Sequence, residues 1–265
     1  MTESYTIQWP TGLSSKDIVA WGNSGLVCLD AASNTVIKFA RGHELCKPHV
    51  EVERRIYERF QQNGGHGGVL QYYGPYESGI RLEYAPNLDL LYFLNKQQEI
   101  ETQQRFSWAQ QITDGLCFVH ASNVIHGDLN ANNIFITDTL DAKIGDFGGS
   151  SIDGSGLLVV ANASHCTPQY GDDVALVQYD LFALGSVLYT IMTGRFPYQD
   201  LMVAEKAREI EALYAAGNFP ETYSLGSIGA IITKCWQAKY DSAVNVRNDI
   251  EGMNTINIEH IPCTL

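Results

Sequence analysis

The sequence is short of positive charge. It contains 17 lysine and arginine residues against 30 aspartate and glutamate residues, which gives a formal net charge of −13 at pH 7. A protein that binds nucleic acid or an anionic membrane through charge needs a basic surface, so this balance predicts neither partner. A site for a phosphate-bearing ligand would have to be built locally, against the field of the whole chain.

Paired cysteines and long hydrophobic runs are also missing. The six cysteines include no CxxC pair, and most have apolar neighbours, as in GLVCLD, GLCFVH and TKCWQA. We therefore expect buried free thiols in a reducing compartment rather than a disulfide or zinc framework. The run DLFALGSVLYTIMTG is shorter than the roughly 18 apolar residues of a membrane span. The segment MTESYTIQWP has no signal-peptide pattern, so we expect a soluble, cytoplasmic protein.

What is present suits a packed globular protein. Hydrophobic residues make up 45% of the 265 positions, and they include 14 tyrosines, 10 phenylalanines and 4 tryptophans. This content excludes a disordered chain and is enough for the core of one or two domains.

The first 84 residues have the pattern of a sheet with one helix. Short β-branched and apolar runs between glycine-rich turns predict strands. Residues 48–62 open with a proline and continue with helix formers, which predicts a helix. The predicted strands are the two apolar runs of 18–29 around a Gly22–Gly25 hairpin turn, the segment 35–39, and the segments 68–73 and 78–84 around a turn at 74–76.

Helical patterns dominate the rest of the chain. The longest has Phe106, Ile112, Leu116 and Val119 on one face. The predicted helices are 88–94, 102–122, 179–193, one near 200–216, and 225–238, with a loop-rich centre at 123–170. Segregated strands and helices predict an α+β fold of two lobes, about 1–84 and about 88–265, with a hinge at about 83–87.

Polar residues of chemical interest concentrate in that centre. Asp128 and Asn133 are five residues apart in IHGDLNANNIF, where apolar residues at both ends could anchor a loop that aims them into a cleft. A surface Asx turn is the alternative interpretation. Asp146 follows 18 residues after Asp128 in KIGDFGG, after a short strand and before two glycines, a suitable position for a ligand of a hard cation such as Mg2+.

A lysine in an apolar strand points to a second cluster. Lys38 lies in VIKFA, where a buried ammonium group needs a partner. Glu53 shares its helical face with Ile56 and Phe60 and should point inward, whereas Glu51 lies among arginines and should be solvated. We expect a Lys38–Glu53 ion pair, with Glu51 as the fallback. The Gly22–Gly25 turn that precedes this strand could bring backbone N–H groups to a phosphate, although an ordinary hairpin turn would explain its glycines equally well.

Taken together and in this order, these four segments resemble the protein kinase superfamily. The resemblance spans roughly residues 18–238 and includes DLFALG from Asp180, which is similar to the start of the buried helix that anchors the large lobe in that family. VIKFA and DLFALGSVLYTIMTG are also similar to segments of small stand-alone kinases of fungi. The resemblance implies one kinase domain over 1–265, with a small β-rich N-lobe that carries one helix and a larger, mainly helical C-lobe.

The same resemblance implies ATP and Mg2+ between the lobes. Lys38, held by Glu53, would contact the α- and β-phosphates, and Asp146 and Asn133 would hold Mg2+. Asp128 would accept or orient the proton of the substrate hydroxyl. The residues implied around the nucleotide are Gly22 and Gly25 over the phosphates, Val27 and Val36 above the base, Phe135 beneath it, the gatekeeper Leu82, and the backbone of Glu83 and Ala85.

Several positions depart from the family pattern. Gly127 stands where the HRD arginine clamps a phosphorylated loop, which disfavours activation by phosphorylation of Ser150, Ser151 or Thr167. Asn130 stands where serine/threonine kinases carry a phosphate-contacting lysine. Val36 adds bulk where the family usually has alanine. No APE motif follows TPQY, which leaves the substrate-docking segment undefined.

The expected activity is therefore transfer of phosphate from ATP to Ser, Thr or Tyr hydroxyls of a protein substrate. A pseudokinase that serves as a binding or scaffold module is the first alternative, because of the departures at Gly127 and Asn130. A small-molecule phosphotransferase of the aminoglycoside or choline kinase type is the second, because HGDLNANN also resembles the loop of those enzymes. The sequence favours no oligomeric state and no choice between Ser/Thr and Tyr.

Overall fold

Five antiparallel strands and one helix form the N-terminal lobe of the computed structural model, which describes residues 7–22, 24–41, 46–97, 99–168, 175–201 and 206–253. The sheet order is β1-β2-β3-β5-β4. The strands are β1 Ile18–Gly22, β2 Gly25–Asp30, β3 Thr35–Phe39, β4 Tyr72–Tyr76 and β5 Gly79–Glu83. Helix α1, Lys47–Gln62, has proline in its first turn and buries Val50, Ile56, Tyr57 and Phe60, so its apolar face packs on the lobe.

The prediction for β4 is wrong in its position. The strand does not end at residue 73 but continues to Tyr76, and the turn lies at Glu77–Ser78 rather than at 74–76. Gly74 has φ +114, and the β4–β5 register is irregular between Tyr72 and Gly74. The glycine therefore lets the strand continue through a bulge, whereas Gly-Pro in the sequence suggested a turn.

Helices build the second lobe. They are α2 Leu90–Lys96, α3 Thr102–Ala121, α4 Val177–Thr193, α5 Ala207–Ala215, α6 Ser227–Trp236 and α7 Ala243–Met253. Helix α4 is buried along most of its length and packs on α6, while α3 packs on α7. The predicted face of α3 is confirmed, because all four of its apolar residues are buried.

Three helix predictions need correction. Helix α2 begins at Leu90 rather than at 88, because Asp89 Oδ1 accepts a hydrogen bond from Tyr92 N at 2.8 Å and caps the helix there. Helix α5 begins at Ala207, and part of the predicted 200–216 segment lies outside the described residues. Helix α7 was not predicted, because its sequence is mostly polar and it buries only Ala243, Val246 and Ile250.

Two small antiparallel pairs hold the polar loops between the lobes. Strand β6, Val124–Ile125, pairs with β9, Ser151–Ile152, and strand β7, Ile134–Ile136, pairs with β8, Ala142–Ile144. The loop of Asp128 and Asn133 joins β6 to β7, and the loop of Asp146 joins β8 to β9. The apolar residues that bracket both motifs are therefore their anchors.

One apolar core continues through both lobes. Tyr57 and Leu82 of the first lobe and Leu116 and Leu184 of the second belong to the same buried cluster. The strand-rich and helix-rich division confirms the predicted bilobal α+β fold. No helix among the described residues is long and apolar enough to cross a membrane. The described cysteines are free thiols.

Candidate active site

Lys38 is the centre of a buried group of three charges. It lies in the central strand β3 and is only 5% exposed. Its Nζ is 2.6 Å from Glu53 Oε2 on α1 and 2.6 Å from Asp146 Oδ1. Glu51 instead pairs with Arg54 at 2.6 Å on the helix surface, so the first choice of partner, and not the fallback, faces Lys38. Buried charges need such partners, because an unpaired one costs several kcal/mol.

The electrostatics of this group favour the charged forms of Lys38 and Asp146 but not that of Glu53, where burial outweighs the Lys38 ammonium group and raises the pKa of the carboxyl. Burial opposes the charged form of Lys38, but the neighbouring Asp146 and Glu53 carboxylates outweigh it and raise the pKa of the ammonium group. Burial likewise acts to raise the pKa of Asp146, but Lys38 outweighs it and holds that pKa below its ordinary value. Asp146 has φ +58, a conformation that a non-glycine residue adopts at a cost and that is common at functional sites.

A column of rings fixes this group against the second lobe. Tyr72 stacks on Tyr57 at 5.8 Å between ring centroids, Tyr57 meets Phe147 at 5.5 Å, and Phe147 meets His126 at 5.0 Å. His126 is 1% exposed, as expected for a packed histidine, and its backbone N donates to Asp180 Oδ2 at 2.8 Å. The column links α1, the loop of Asp146 and the loop of Asp128 to helix α4.

Two asparagine amides hold the Asp128 carboxylate. Asn130 Nδ2 donates to Asp128 Oδ1 at 3.1 Å and to its backbone oxygen at 2.9 Å. Asn133 Nδ2 donates to Oδ2 at 3.2 Å and to the same backbone oxygen at 2.8 Å. Burial is the main influence on Asp128 and raises the pKa of its carboxyl above the ordinary value, although both amides oppose that shift. Asn130 thus does different work from the lysine of the family pattern.

Asp146 and Asn133 suit Mg2+. Asn133 uses its amide nitrogen on Asp128, which leaves Oδ1 as an oxygen ligand, and Asp146 uses Oδ1 on Lys38 and on Ser24 Oγ, 3.3 Å away. Within the described residues no group of three or more His, Cys, Asp or Glu side chains could hold a metal ion. Two oxygen ligands fit Mg2+ all the same, because that ion keeps several waters and is bound largely through substrate phosphates.

The residues implied around the base form an apolar surface beside this group. Val36 and Leu82 are buried Cα partners across β3 and β5, and Val27 is the partner of Lys38 across β2 and β3. Phe135 on β7 packs, with Val27, against the same apolar cluster. The structure therefore brings these four residues to one core that continues between the lobes.

The hinge and the glycine turn contribute the remaining residues implied around the nucleotide, and one residue of the turn lies outside the described part of the chain. Glu83 ends β5, and its carboxylate accepts hydrogen bonds from Lys143 Nζ, at 2.8 Å, and from Gln71 N, at 2.9 Å. Ala85 is buried and follows two residues later, at the point where the chain leaves the sheet. Gly22 and Gly25 are Cα partners at the end of the β1–β2 hairpin, but Asn23 lies outside the described residues.

Hydroxyl groups in the segment after Asp146 are engaged inside the protein. Ser150 is fully buried and its Oγ donates to His126 O at 2.9 Å, and Ser151 Oγ donates to Ser155 O. Thr167 is also buried. The sequence that follows Thr167 and Pro168, where no APE motif occurs, lies partly outside the described residues.

The contacts of two residues at this site were not predicted from the sequence. Ser24 reaches Asp146 from the glycine turn, a contact between positions 122 residues apart that no local pattern signals. Asp180 accepts hydrogen bonds from the backbone N of His126 and of Gly127, each at 2.8 Å, and from His120 Nε2 at 2.9 Å. A lone acid in an otherwise apolar helix is the signal that could have shown the role of Asp180.

Comparison with known proteins agrees with this geometry. A family model described as the protein kinase domain matches residues 31–246, and the chain therefore belongs to the protein kinase family. It is 27% identical to the serine/threonine-protein kinase WNK of Caenorhabditis elegans over 202 residues, which cover 69% of this chain and 11% of that protein. It is 23% identical to the serine/threonine-protein kinase PLK1 of Xenopus laevis over 176 residues, which cover 63% of this chain and 29% of that protein.

A bacterial relative is equally distant. The chain is 25% identical over 178 residues to a probable serine/threonine-protein kinase of Clostridium acetobutylicum, with 64% of this chain and 27% of that protein covered. This chain thus spans less than a third of the length of these three curated relatives. The superfamily prediction is confirmed, whereas the finer resemblance to fungal kinases stays a prediction.

Proposed function

We propose that this protein is an ATP- and Mg2+-dependent protein kinase that phosphorylates hydroxyl groups of a protein substrate, with serine and threonine favoured over tyrosine. The observation that carries the proposal is Lys38 Nζ, which lies 2.6 Å from both Glu53 and Asp146. This arrangement assembles a lysine, the acid that orients it and a candidate metal ligand from three separate segments. The names of the matched relatives support the preference for serine and threonine.

Each charged residue has a distinct task in this proposal. Lys38 binds the α- and β-phosphates, and Glu53 keeps its ammonium group aimed at the cleft. Asp146 and Asn133 hold Mg2+, which, when bound, neutralises phosphate charge during transfer. Local positive charge of this kind explains how a chain of net charge −13 can take a polyanionic nucleotide.

Asp128 orients the attacking hydroxyl. The amides of Asn130 and Asn133 fix the position of its carboxylate, at 3.1 and 3.2 Å, so that the group is aligned before the substrate arrives. Holding the substrate hydroxyl in a fixed arrangement makes the transfer step effectively unimolecular, and such positioning, together with electrostatic stabilisation, supplies most of the catalysis in phosphoryl transfer.

The adenine ring would lie in the apolar cleft between the lobes. Val27 and Val36 would cover it, Phe135 would lie beneath it and Leu82 would close the back. The backbone of Glu83 and Ala85 would provide its hydrogen bonds, and Gly22 and Gly25 would close over the phosphates.

A nucleotide-binding scaffold without turnover is the second candidate. The observation that favours it is Asn130, because a neutral amide contacts Asp128 where a cation would otherwise help to hold the transferred phosphate. A metabolite kinase is less favoured, because the relatives quoted above are named as protein kinases.

Phosphate incorporation from radiolabelled ATP tests the proposal. The purified protein should label itself or casein on serine or threonine, and Lys38→Met and Asp128→Asn should each reduce labelling by about a thousandfold or more. Lys16→Met and Asp138→Asn make the same chemical changes at exposed positions and should label like the wild type. Wild-type labelling in Lys38→Met or Asp128→Asn would contradict the roles assigned to these residues.

Thermal unfolding with Mg-ATP separates the two candidates. A ligand present at about 100 times its Kd stabilises the folded state by about 2.7 kcal/mol. A clear rise in Tm together with no labelling of any acceptor supports the scaffold. No rise in Tm and no labelling overturns both candidates.

A further inference from the structure

The segment 155–160 has no regular secondary structure and lies beside the catalytic loop, with Leu157 against Gly127. Its side chains alternate, because Leu157 and Val159 are half-buried whereas Leu158 and Val160 are 43% and 67% exposed. The Leu158 backbone N donates to Gly149 O at 2.9 Å. The segment therefore has an inner apolar face toward the loops of Asp128 and Asp146, and an outer face toward solvent.

The inner face fits over two glycines. A Cβ placed on Gly127 would collide with Leu157 Cδ2 and would lie 3.0 Å from its Cδ1. A Cβ placed on Gly149 would collide with Val159 Cγ1 and would lie 2.6 Å from its Cβ. Gly127 also has φ +75, a conformation that costs other residues free energy. Space that a side chain at 127 would fill is thus occupied by Leu157.

The same segment is anchored at its start. Arg59 of α1 pairs with Asp153 at 2.8 Å, and Asp153 N donates to Asn123 O at 2.9 Å. Ser151 Oγ donates to Ser155 O, so a local hydroxyl closes the turn between the anchor and the rest of the segment. These contacts all lie within the protein, and they anchor the segment that reaches Gly127 and Gly149.

We propose that Leu157 and Val159 are positioning residues for phosphate transfer, and that their contacts with Gly127 and Gly149 hold the loops of Asp128 and Asp146 in their aligned arrangement without phosphorylation of this segment. The proposal rests on the proposed kinase function. Leu157 touches the residue directly before Asp128, and Val159 touches the chain three residues after Asp146. Loss of either contact frees the backbone next to a catalytic carboxylate.

A matched pair of leucine variants tests it. Leu157→Ala should lower kcat by about a hundredfold, because a shift of about 1 Å in a catalytic group has effects of that size, while the KM for ATP and Tm change little. Leu158→Ala removes the same atoms one position along, on the solvent-facing side, and should keep wild-type kcat. Equal kcat in the two variants would overturn the proposal.

Coupling between Gly127 and Leu157 tests the contact itself. Gly127→Ala should reduce kcat in the wild-type background, because its methyl group collides with Leu157. In the Leu157→Ala background the same change should cost clearly less, and the strain of alanine at φ +75 cancels because it is present in both backgrounds. Additive effects of the two substitutions would show that the contact does not position the loop.

Two further measurements separate this proposal from the kinase assignment. Protein produced with a coexpressed phosphatase, and shown by mass spectrometry to be unphosphorylated, should keep its kcat, and loss of activity on dephosphorylation would overturn the proposal. Hydrogen exchange at the Leu158 amide needs no catalysis. Leu157→Ala should accelerate it and a matched Val160→Ala should not. If the wild type transfers no phosphate but this exchange difference is found, the proposed kinase activity fails, while the contact of Leu157 with Gly127 is still supported.

Discussion

The surroundings of Asp128 differ from those of a simple surface carboxylate. It is largely withdrawn from solvent and receives one amide hydrogen bond on each oxygen, from Asn130 and from Asn133. Burial raises the pKa of its carboxyl, and the two donors partly reverse the shift, because they favour the ionised form. At the scale of single residues, the asparagine at 130 therefore tunes the carboxyl group that we propose orients the substrate hydroxyl.

The first prediction concerns this tuning. Asn130→Ala removes a hydrogen bond from the ionised carboxylate, so the pKa of Asp128 should rise further. Asp128 must be ionised to accept a proton, and the acid limb of the kcat–pH profile should therefore move to higher pH. Asn132→Ala removes an exposed asparagine that contacts Asn130 rather than Asp128 and should leave the limb in place. A limb that moves to lower pH in Asn130→Ala would contradict the assignment.

At the scale of secondary-structure elements, close backbone contacts position the helices of the second lobe. Gly115 lies inside α3, and its position faces Gly68 in the chain that leads to β4. A Cβ on Gly115 would lie only 2.6 Å from Gly68 O. This approach brings α3 against the chain that crosses from the N-lobe helix to its sheet, and helix propensity cannot explain the glycine, because propensity alone favours alanine.

The second prediction follows from this contact. Gly115→Ala should destabilise the protein by roughly 1–3 kcal/mol through steric overlap, despite a propensity gain of about 1 kcal/mol. Gly252→Ala, in helix α7, is the matched control, because among the described residues no atom outside its own stretch of helix lies within 4 Å of its added Cβ. That variant should be neutral or slightly more stable. Urea unfolding measures both, and a stabilised Gly115→Ala would show that the chain at Gly68 can move away.

At the scale of the whole molecule, one continuous core and an excess of negative charge determine how the protein unfolds and how its stability responds to acid. The apolar cluster continues through both lobes, so we expect the described part of the chain to unfold largely as one unit. The net charge of −13 makes the response to acid informative. Asp180 is completely buried; burial acts to raise its pKa, but the hydrogen bond from His120 and the nearby backbone N–H groups outweigh burial and lower the pKa.

The third prediction is a dependence of stability on pH. The pKa of Asp180 lies below its ordinary value of 3.8 in the folded protein, so its ionised form stabilises the fold. This contribution is complete above the unfolded pKa and is lost as the pH falls through the folded pKa. Asp180→Asn should be less stable than the wild type by about 3 kcal/mol at pH 7, and the difference should shrink below pH 4. His120→Gln tests the contribution of the neighbouring imidazole in the same titration. A difference that grows on acidification would refute the role of Asp180.

Much of the candidate site could be predicted from the sequence, because its chemistry is local. Asp128 and Asn133 share one loop, Asp146 opens a glycine turn, and Lys38 is conspicuous in an apolar strand. The helical offset from Ile56 and Phe60 turned Glu53 inward, and the ion pair is present at 2.6 Å. The β4 turn and helix α7 could not be predicted, because Gly74 supports a bulge as readily as a turn and α7 buries only a narrow stripe.

The sequence by itself determined most of the strands and helices and the placement of the charged motifs, since residue type, spacing and periodicity act over a few positions of the chain. Only the tertiary structure decided which distant groups meet. Ser24 Oγ donates a hydrogen bond to Asp146, and the Gly127 backbone N donates one to Asp180. Leu157 fills the space above that glycine. These contacts depend on how the lobes and loops pack in three dimensions, and no pattern along the chain records packing between residues tens of positions apart.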